Sequence, residues 1–267
     1  MKKHLIGLST KVVREDIFTC RLFDCLEYSQ SHLVADSMEN VKRDVPRFIE
    51  LAREYNVDLR SFHIPFASTE YYRFEPANLD PAVREMTWNN TLPLLDLVIP
   101  MGIRYVVLHG GVHKEDVAEK PQLDVFCEYT CRLCDYLKPY GITVAVETLR
   151  PQRIGHGLAH HQYMASQIDR DNYGICFDSN HFLGNDYLTF LEAIGDRVVT
   201  THLSDFDGTP ECHWFPGRGI IDWKRVVELL DEKGYDGPCV FEVEFPNKIA
   251  SAQQCRDLVS GWNKALI

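Results

Sequence analysis

VVTTHLSDFDGTPECHWFPGRGIIDW (198–223) decides how this chain is read. A short β-branched run ends at His202, and a polar loop with Glu211 and His213 follows it. The Pro216-Gly217-Arg218-Gly219 turn comes next, and Asp222 stands where an N-cap residue would start a new helix. Strand, ligand-bearing loop, helix start: that order puts chemistry at the carboxyl end of a strand. Asp205 and Asp207 in the same stretch are read as loop-turn residues.

Working outward, the same order recurs. Strands are expected over 5–9, 23–29, 59–66, 104–111, 143–149 and 173–182 before this stretch, and over 239–245 after it. Helical spacing lies between them over 38–55, 81–99, 123–137, 162–168, 187–194 and 222–233, with a closing helix over 250–265. The 38–55 segment is the clearest, with Val41, Val45, Phe48, Ile49 and Ala52 on one stripe. Between Leu8 and Phe23 a helix is poorly signalled, and a loop fits as well. Eight strands with helical connections imply a parallel sheet closed into a single-domain (β/α)8 TIM barrel over 1–267. An open doubly wound sheet is the alternative, and the lack of a Gly-rich phosphate fingerprint after the first strand counts against it.

Composition narrows the function classes. Hydrophobic residues make up 45% of the 267, enough for a sizeable core. A formal net charge of −11 argues against nucleic acid as a partner, because a phosphate backbone needs a basic face. A small anionic substrate stays open, since a bound metal reverses the local sign. No run approaches the roughly 18 apolar residues of a membrane span, and MKKHLIGLST is too short in its apolar part for a signal segment. Nine cysteines, an odd number without secretory context, read as reduced thiols in a cytoplasmic protein. Cys127, Cys131 and Cys134 fall at helical spacing and are expected on a core face, since Cys131-x-x-Cys134 has no second pair to complete a metal site.

The ligand-type residues closing the later strands are His63, His109, Glu147, Asp178, His202 and Glu242. Two positions earlier, on the same face of each strand, stand Ser61, Val107, Ala145, Cys176, Thr200 and Val240, all small or β-branched. Three carboxylates converging in one barrel mouth repel unless a cation is bound, and imidazole with carboxylate suits Zn²⁺, Mn²⁺ or Co²⁺. Glu244 shares the parity of Glu242 and rivals it. Of the eleven histidines, His63, His109, His181, His202 and His213 sit at strand ends or in their loops. The others, such as His4, His32 and the pair His160-His161, are read as surface or loop residues. Arg218 is read either as an anion or substrate contact or as a solvated side chain.

FHIPF, VVLHGG, VAVETL, FDSNH, THLSD, ECHWFPGRGIIDW and GYDGPCVFE together resemble the xylose isomerase-like TIM-barrel superfamily, the sugar isomerases and epimerases that also include endonuclease IV. The resemblance implies, by analogy with ketose 3-epimerases, one divalent ion (Zn, Mn, Co or Mg) on Glu147, Asp178, His202 and Glu242. It also implies that Glu147 and Glu242 are the acid/base pair of a proton transfer through a metal-stabilised enediolate, and that His181 binds substrate oxygens. By analogy with endonuclease IV, the ligand set extends to His63, His109, His181, Glu211 and His213 and up to three metals. There Glu211 departs from the Asp of the nuclease pattern.

The leading expectation is therefore a metal-dependent isomerase or epimerase of a sugar, sugar phosphate or polyol, with a small-molecule carbohydrate as its partner. A related dehydratase or lyase would use the same chemistry. The alternative is a zinc phosphodiesterase acting on abasic DNA, for which Tyr71-Tyr72-Arg73 would stack on a base instead of closing over a sugar ring. A barrel that binds metal without turnover is the third reading.

Overall fold

The computed structural model describes all residues except 1–3, 11–13, 30–36, 69–71, 114–116, 185, 210 and 246–250. His32, Tyr71 and the first residue of the expected closing helix lie outside the described residues. Eight parallel strands run β1 (Ile6–Thr10), β2 (Cys25–Ser29), β3 (Asp58–His63), β4 (Tyr105–Leu108), β5 (Thr143–Glu147), β6 (Tyr173–Asp178), β7 (Val198–His202) and β8 (Cys239–Phe241). Consecutive strands from β1 to β7 pair with one another, and β1 also pairs with β8. The ring is closed between β7 and β8 by Leu203, whose N–H donates to the Val240 carbonyl and whose carbonyl accepts from Glu242 N–H. This is the expected (β/α)8 barrel.

Its eight helices are α1 (Glu15–Thr19), α2 (Ser37–Tyr55), α3 (Pro81–Val98), α4 (Glu119–Leu137), α5 (Gly157–Gln167), α6 (Asp186–Ile194), α7 (Trp223–Glu232) and α8 (Ala252–Ala265), counted among the described residues. Their starts follow from local chemistry. Asp80 caps α3 by accepting from Ala82 N–H ahead of a proline at the first helical position. Asp222 caps α7 through Arg225 N–H, and Ser251 with Gln254 forms a capping box on α8. The weakly signalled region before Phe23 holds only the five-residue α1.

Two cores result. The larger lies between barrel and helices, where Phe48, Phe62, Phe126, Phe177, Phe190 and Trp223 are buried. Inside the barrel, Val107, Ala145 and Cys176 form a separate small cluster, the layer expected one step below the ligands. Small side chains there leave room for the polar layer above. Cys127 and Cys134 are buried on the core face of α4, and all nine cysteines are free.

One thiol stands apart from the inert ones. Cys20, at the end of α1, is pulled down to about 7 by a hydrogen bond with Cys255 of α8, against the opposing effect of burial. Burial instead pushes Cys25, Cys127, Cys134 and Cys239 up to about 12. Because the thiolate is the nucleophile, alkylation of Cys20 is expected to outpace that of these four and to rise as pH increases through 7. Peptide mapping after brief iodoacetamide treatment at pH 6 and pH 8 checks this; equal labelling of Cys20 and Cys127 at pH 8 would contradict it.

Candidate metal centre

The strand ends converge as the alternation requires. Glu147, Asp178, His202 and Glu242 each offer an atom within 4.8 Å of the others. His202 Nδ1 lies 3.3 Å from Glu147 Oε1 and 3.2 Å from Glu242 Oε2. Glu147 faces a second donor group with its other oxygen: Oε2 is 3.0 Å from His63 Nε2 and 2.9 Å from His109 Nε2. The rival Glu244 is exposed, beyond the end of β8.

Local structure aims these atoms. The Asp178 carboxylate ends β6 by accepting from Asn180 N–H at 2.6 Å through Oδ1, which starts a 3₁₀ turn over Ser179–His181. Oδ2 is left buried without a hydrogen bond, and so is His202 Nδ1. Both orphaned atoms belong to the quartet. Buried polar atoms are normally paired, so an unpaired carboxylate oxygen and an unpaired imidazole nitrogen inside a ring of carboxylates fit a cation bound between them. The donor set, one imidazole and three carboxylates, suits Zn²⁺ or Mn²⁺.

The electrostatics carry the same imprint. Burial, together with the charges of Glu147 and Glu242, holds the Asp178 carboxyl well above the usual carboxylate range. Burial acts on Glu147 too, but His109 and His202 outweigh it and hold this group well below that range. Burial brings His109 down to about 4, whereas for His63 the neighbouring Glu147 prevails over burial and the shift is upward. Three acids and three imidazoles thus share a few protons where a cation would balance the charge.

One member of the site was not anticipated. Glu27 on β2 is fully buried inside the barrel, in register with Ser9 on β1 and Ser61 on β3. It accepts from Ser9 Oγ at 2.9 Å, Ser61 Oγ at 2.8 Å and His202 Nε2 at 2.9 Å. Because Nε2–H donates to Glu27, the Nδ1 lone pair of a neutral His202 points at the quartet, the carboxylate–histidine–metal relay common in metal sites. Glu27→Gln is expected to weaken metal binding by about 10- to 100-fold, since the amide turns a donor toward one of three donors. Competition with a fluorescent chelator measures this; unchanged affinity would remove the relay.

The remaining expected residues are placed less uniformly. His181 donates Nδ1–H to Thr148 O at 2.8 Å, so its Nε2 faces outward, 3.7 Å from Glu211 Oε1. Glu211 is held by Arg150 at 2.7 Å. His213 lies close to the Glu242 carbonyl, 3.1 Å from Nδ1. Glu211 and His213 therefore border the quartet without joining it, and both adopt left-handed backbone angles (φ 75° and 48°). Arg218 is exposed, its guanidinium 4.6 Å over the Phe215 ring and outside the cluster.

Two readings are corrected. His160 and His161 are buried, not surface or loop residues: they sit on α5, where Nδ1 of His160 accepts from Gly155 N–H and Nε2 of His161 donates to Gly155 O. They clamp the loop after β5. Glu119, His156 and His160 also bring ligand-type atoms within 4.8 Å. Since Nδ1 of His160 is an acceptor, Nε2 of the neutral ring carries the proton, which disqualifies it as a ligand; it lies 3.1 Å from Glu119 Oε1 without a hydrogen bond. Asp205 does shape its turn, but from the interior, where it is fully buried.

Similarity to known proteins is decisive for the family. A profile of the xylose isomerase-like TIM barrel matches residues 23–261. The chain belongs to that family. Among curated relatives, inosose isomerase of Bacillus subtilis (strain 168) is 28% identical over 148 residues, 51% of this chain and 52% of that protein. Fructoselysine 3-epimerase of Escherichia coli O157:H7 is 24% identical over 127 residues, 43% of this chain and 44% of that protein. The chain thus spans about half the length of these relatives. Solved structures agree on the fold over nearly the whole chain. A D-tagatose 3-epimerase-like protein superposes with TM-score 0.76 at 21% identity, covering 98% of each chain. The IOLI protein, solved with a zinc atom, gives 0.78 at 17% identity, again covering 98% of each. The two named curated relatives are an isomerase and an epimerase. Among the described residues, no helix is long and apolar enough to cross a membrane.

Proposed function

We propose that this family member is a divalent-metal-dependent isomerase or epimerase of a sugar or polyol, working by proton transfer. The observation that carries the reading is the quartet itself: two orphaned buried ligand atoms between two glutamates at the ends of different strands. Glu147, Asp178, His202 and Glu242 would hold the ion. A divalent ion there polarises a carbonyl oxygen and acidifies the adjacent C–H.

The chain's own groups supply the rest. Glu242 is the more accessible carboxylate, its side chain 21% exposed against 1% for Glu147, and it is open to a proton arriving from the mouth. Glu147, pinned by His63 and His109, delivers or takes a proton from a fixed position. His181, with Nδ1 committed to Thr148 O, presents Nε2 to a substrate hydroxyl. The acidic net charge and the isomerase and epimerase relatives support this over a nuclease.

Metal analysis of protein purified without chelator, followed by incubation with ketoses and inososes in D2O, tests the reading. One Zn, Mn, Co or Mg per chain and deuterium entering next to the carbonyl are expected. About three zincs per chain with cleavage of an abasic duplex would replace the reading by the nuclease one; neither metal nor exchange would end it.

A further inference from the structure

Arg150 and Arg153 lie in the loop that leaves β5, on the same end of the barrel as the metal quartet. Arg150 holds Glu211, which stands 3.7 Å from His181 Nε2, so the arginine loop is linked side chain by side chain to the quartet. Arg153 is half-buried, yet among the described residues its guanidinium has no ion pair or hydrogen bond. Burial, and then the neighbouring charge of Arg150, act against its positive charge, while Glu211 only partly offsets them. Two arginines against one carboxylate leave an excess positive charge in this loop, in a chain whose net charge is −11.

The loop is built to hold that arrangement. Ile154 N–H donates to Gly111 O and His113 N–H donates to Gln152 O, binding the loop after β5 to the loop after β4. The approach is so close that a Cβ on Gly110 would meet the Ile154 carbonyl oxygen at 2.2 Å, which only glycine permits. From below, the buried His160 and His161 hold both polar groups of Gly155. Gln152, between the arginines, sits at φ 67°, a conformation that this clamping maintains. An exposed, unclamped arginine would simply be solvated. A half-buried one beside a second guanidinium has lost part of its water without gaining a partner, and the buried Nε of Arg150, for all its ion pair with Glu211, makes no hydrogen bond.

We propose that Arg150 and Arg153 form a subsite for an anionic group on the substrate, a phosphate or a carboxylate, whose reacting end lies at the metal quartet. The proposal rests on the sugar isomerase or epimerase reading for its substrate, but not for its anion. The planar donor forks of arginine match either oxyanion, and a bound anion supplies the partner that Arg153 lacks. Glu211 is its competitor for Arg150.

The test is calorimetric titration of the metal-loaded protein with inorganic phosphate and, separately, acetate. The wild type is expected to bind one of them; preference for phosphate identifies a phosphorylated substrate, and preference for acetate a sugar acid. Arg153→Gln should weaken that binding by at least about tenfold. Glu211→Gln should strengthen it, by freeing Arg150, and a gain of affinity has no explanation in misfolding. Phosphate affinity unchanged in Arg153→Gln would mean that the anion sits on the metal, and would overturn the subsite, as would no binding of either anion. If neutral ketoses exchange deuterium while no anion binds, only the subsite falls. If the anion binds as stated but no ketose or ketose phosphate exchanges, the subsite stands and the isomerase reading falls.

Discussion

Glu147→Gln is expected to cut turnover by roughly 10²- to 10⁴-fold, the range lost when a positioned proton-transfer group is removed, while leaving a folded barrel. The fold survives because two effects oppose each other. The substitution deprives His63 and His109 of their shared carboxylate oxygen. It also removes one of the two charges that hold the Asp178 carboxyl above its usual range. Gln is isosteric and keeps a carbonyl oxygen, so packing around this buried position is undisturbed. Circular dichroism should show the native spectrum and the deuterium-exchange assay should show almost no exchange. Metal content separates the two roles proposed for Glu147. Loss of exchange with metal retained points to proton transfer; loss of both points to ligation first. A Glu147→Gln enzyme with full activity would remove it from the reaction.

Much of this site is legible in the amino-acid sequence, for a physical reason. In a parallel barrel the strand ends face one way, so a ligand-type residue closing each successive strand is a spatial cluster written in periodic form. His63, His109, Glu147, Asp178, His202 and Glu242 obey that rule, and the structure brings them together. Glu27 points into the same interior by the same alternation, two positions after the buried Cys25 on one face of β2. Sequence reasoning missed it because it stands in the middle of its strand and does not close it, although a carboxylate alternating with core residues is itself a signal. His160 and His161 carry no comparable mark. Their partners are the backbone groups of Gly155, and a glycine's N–H and carbonyl look alike wherever it stands in a sequence. The end of β6 falls short of the expected 173–182 because Asp178 turns the chain with its own side chain, and alternation does not report that.

Asp205→Ala is expected to be the most destabilising single substitution on the loop over 205–222, although Asp205 touches no proposed ligand atom. Its carboxylate is completely buried and satisfies four donors. Oδ1 accepts from Phe206 N–H and Ile221 N–H, and Oδ2 from Gly217 N–H and the Trp223 indole. Its backbone also pairs both ways with Trp214, closing the stretch that carries Glu211 and His213. The turn is packed so tightly around it that a Cβ on Gly219 would lie 2.3 Å from Oδ1. Alanine leaves three buried donors and the part-buried Gly217 N–H without an acceptor, which costs roughly 3–5 kcal/mol for a group of this kind. In a domain of this size that lowers the melting temperature by about 10 °C. Asp207, exposed and accepting mainly from Thr209 N–H, provides the contrast: its alanine variant should stay within about 0.5 kcal/mol of wild type. Thermal denaturation of the two variants side by side decides the matter. If Asp205→Ala melts with Asp207→Ala, the buried carboxylate is not what holds the loop. If it melts early and also loses metal, the loop between β7 and α7 is held in place for the metal centre by a residue that never touches it.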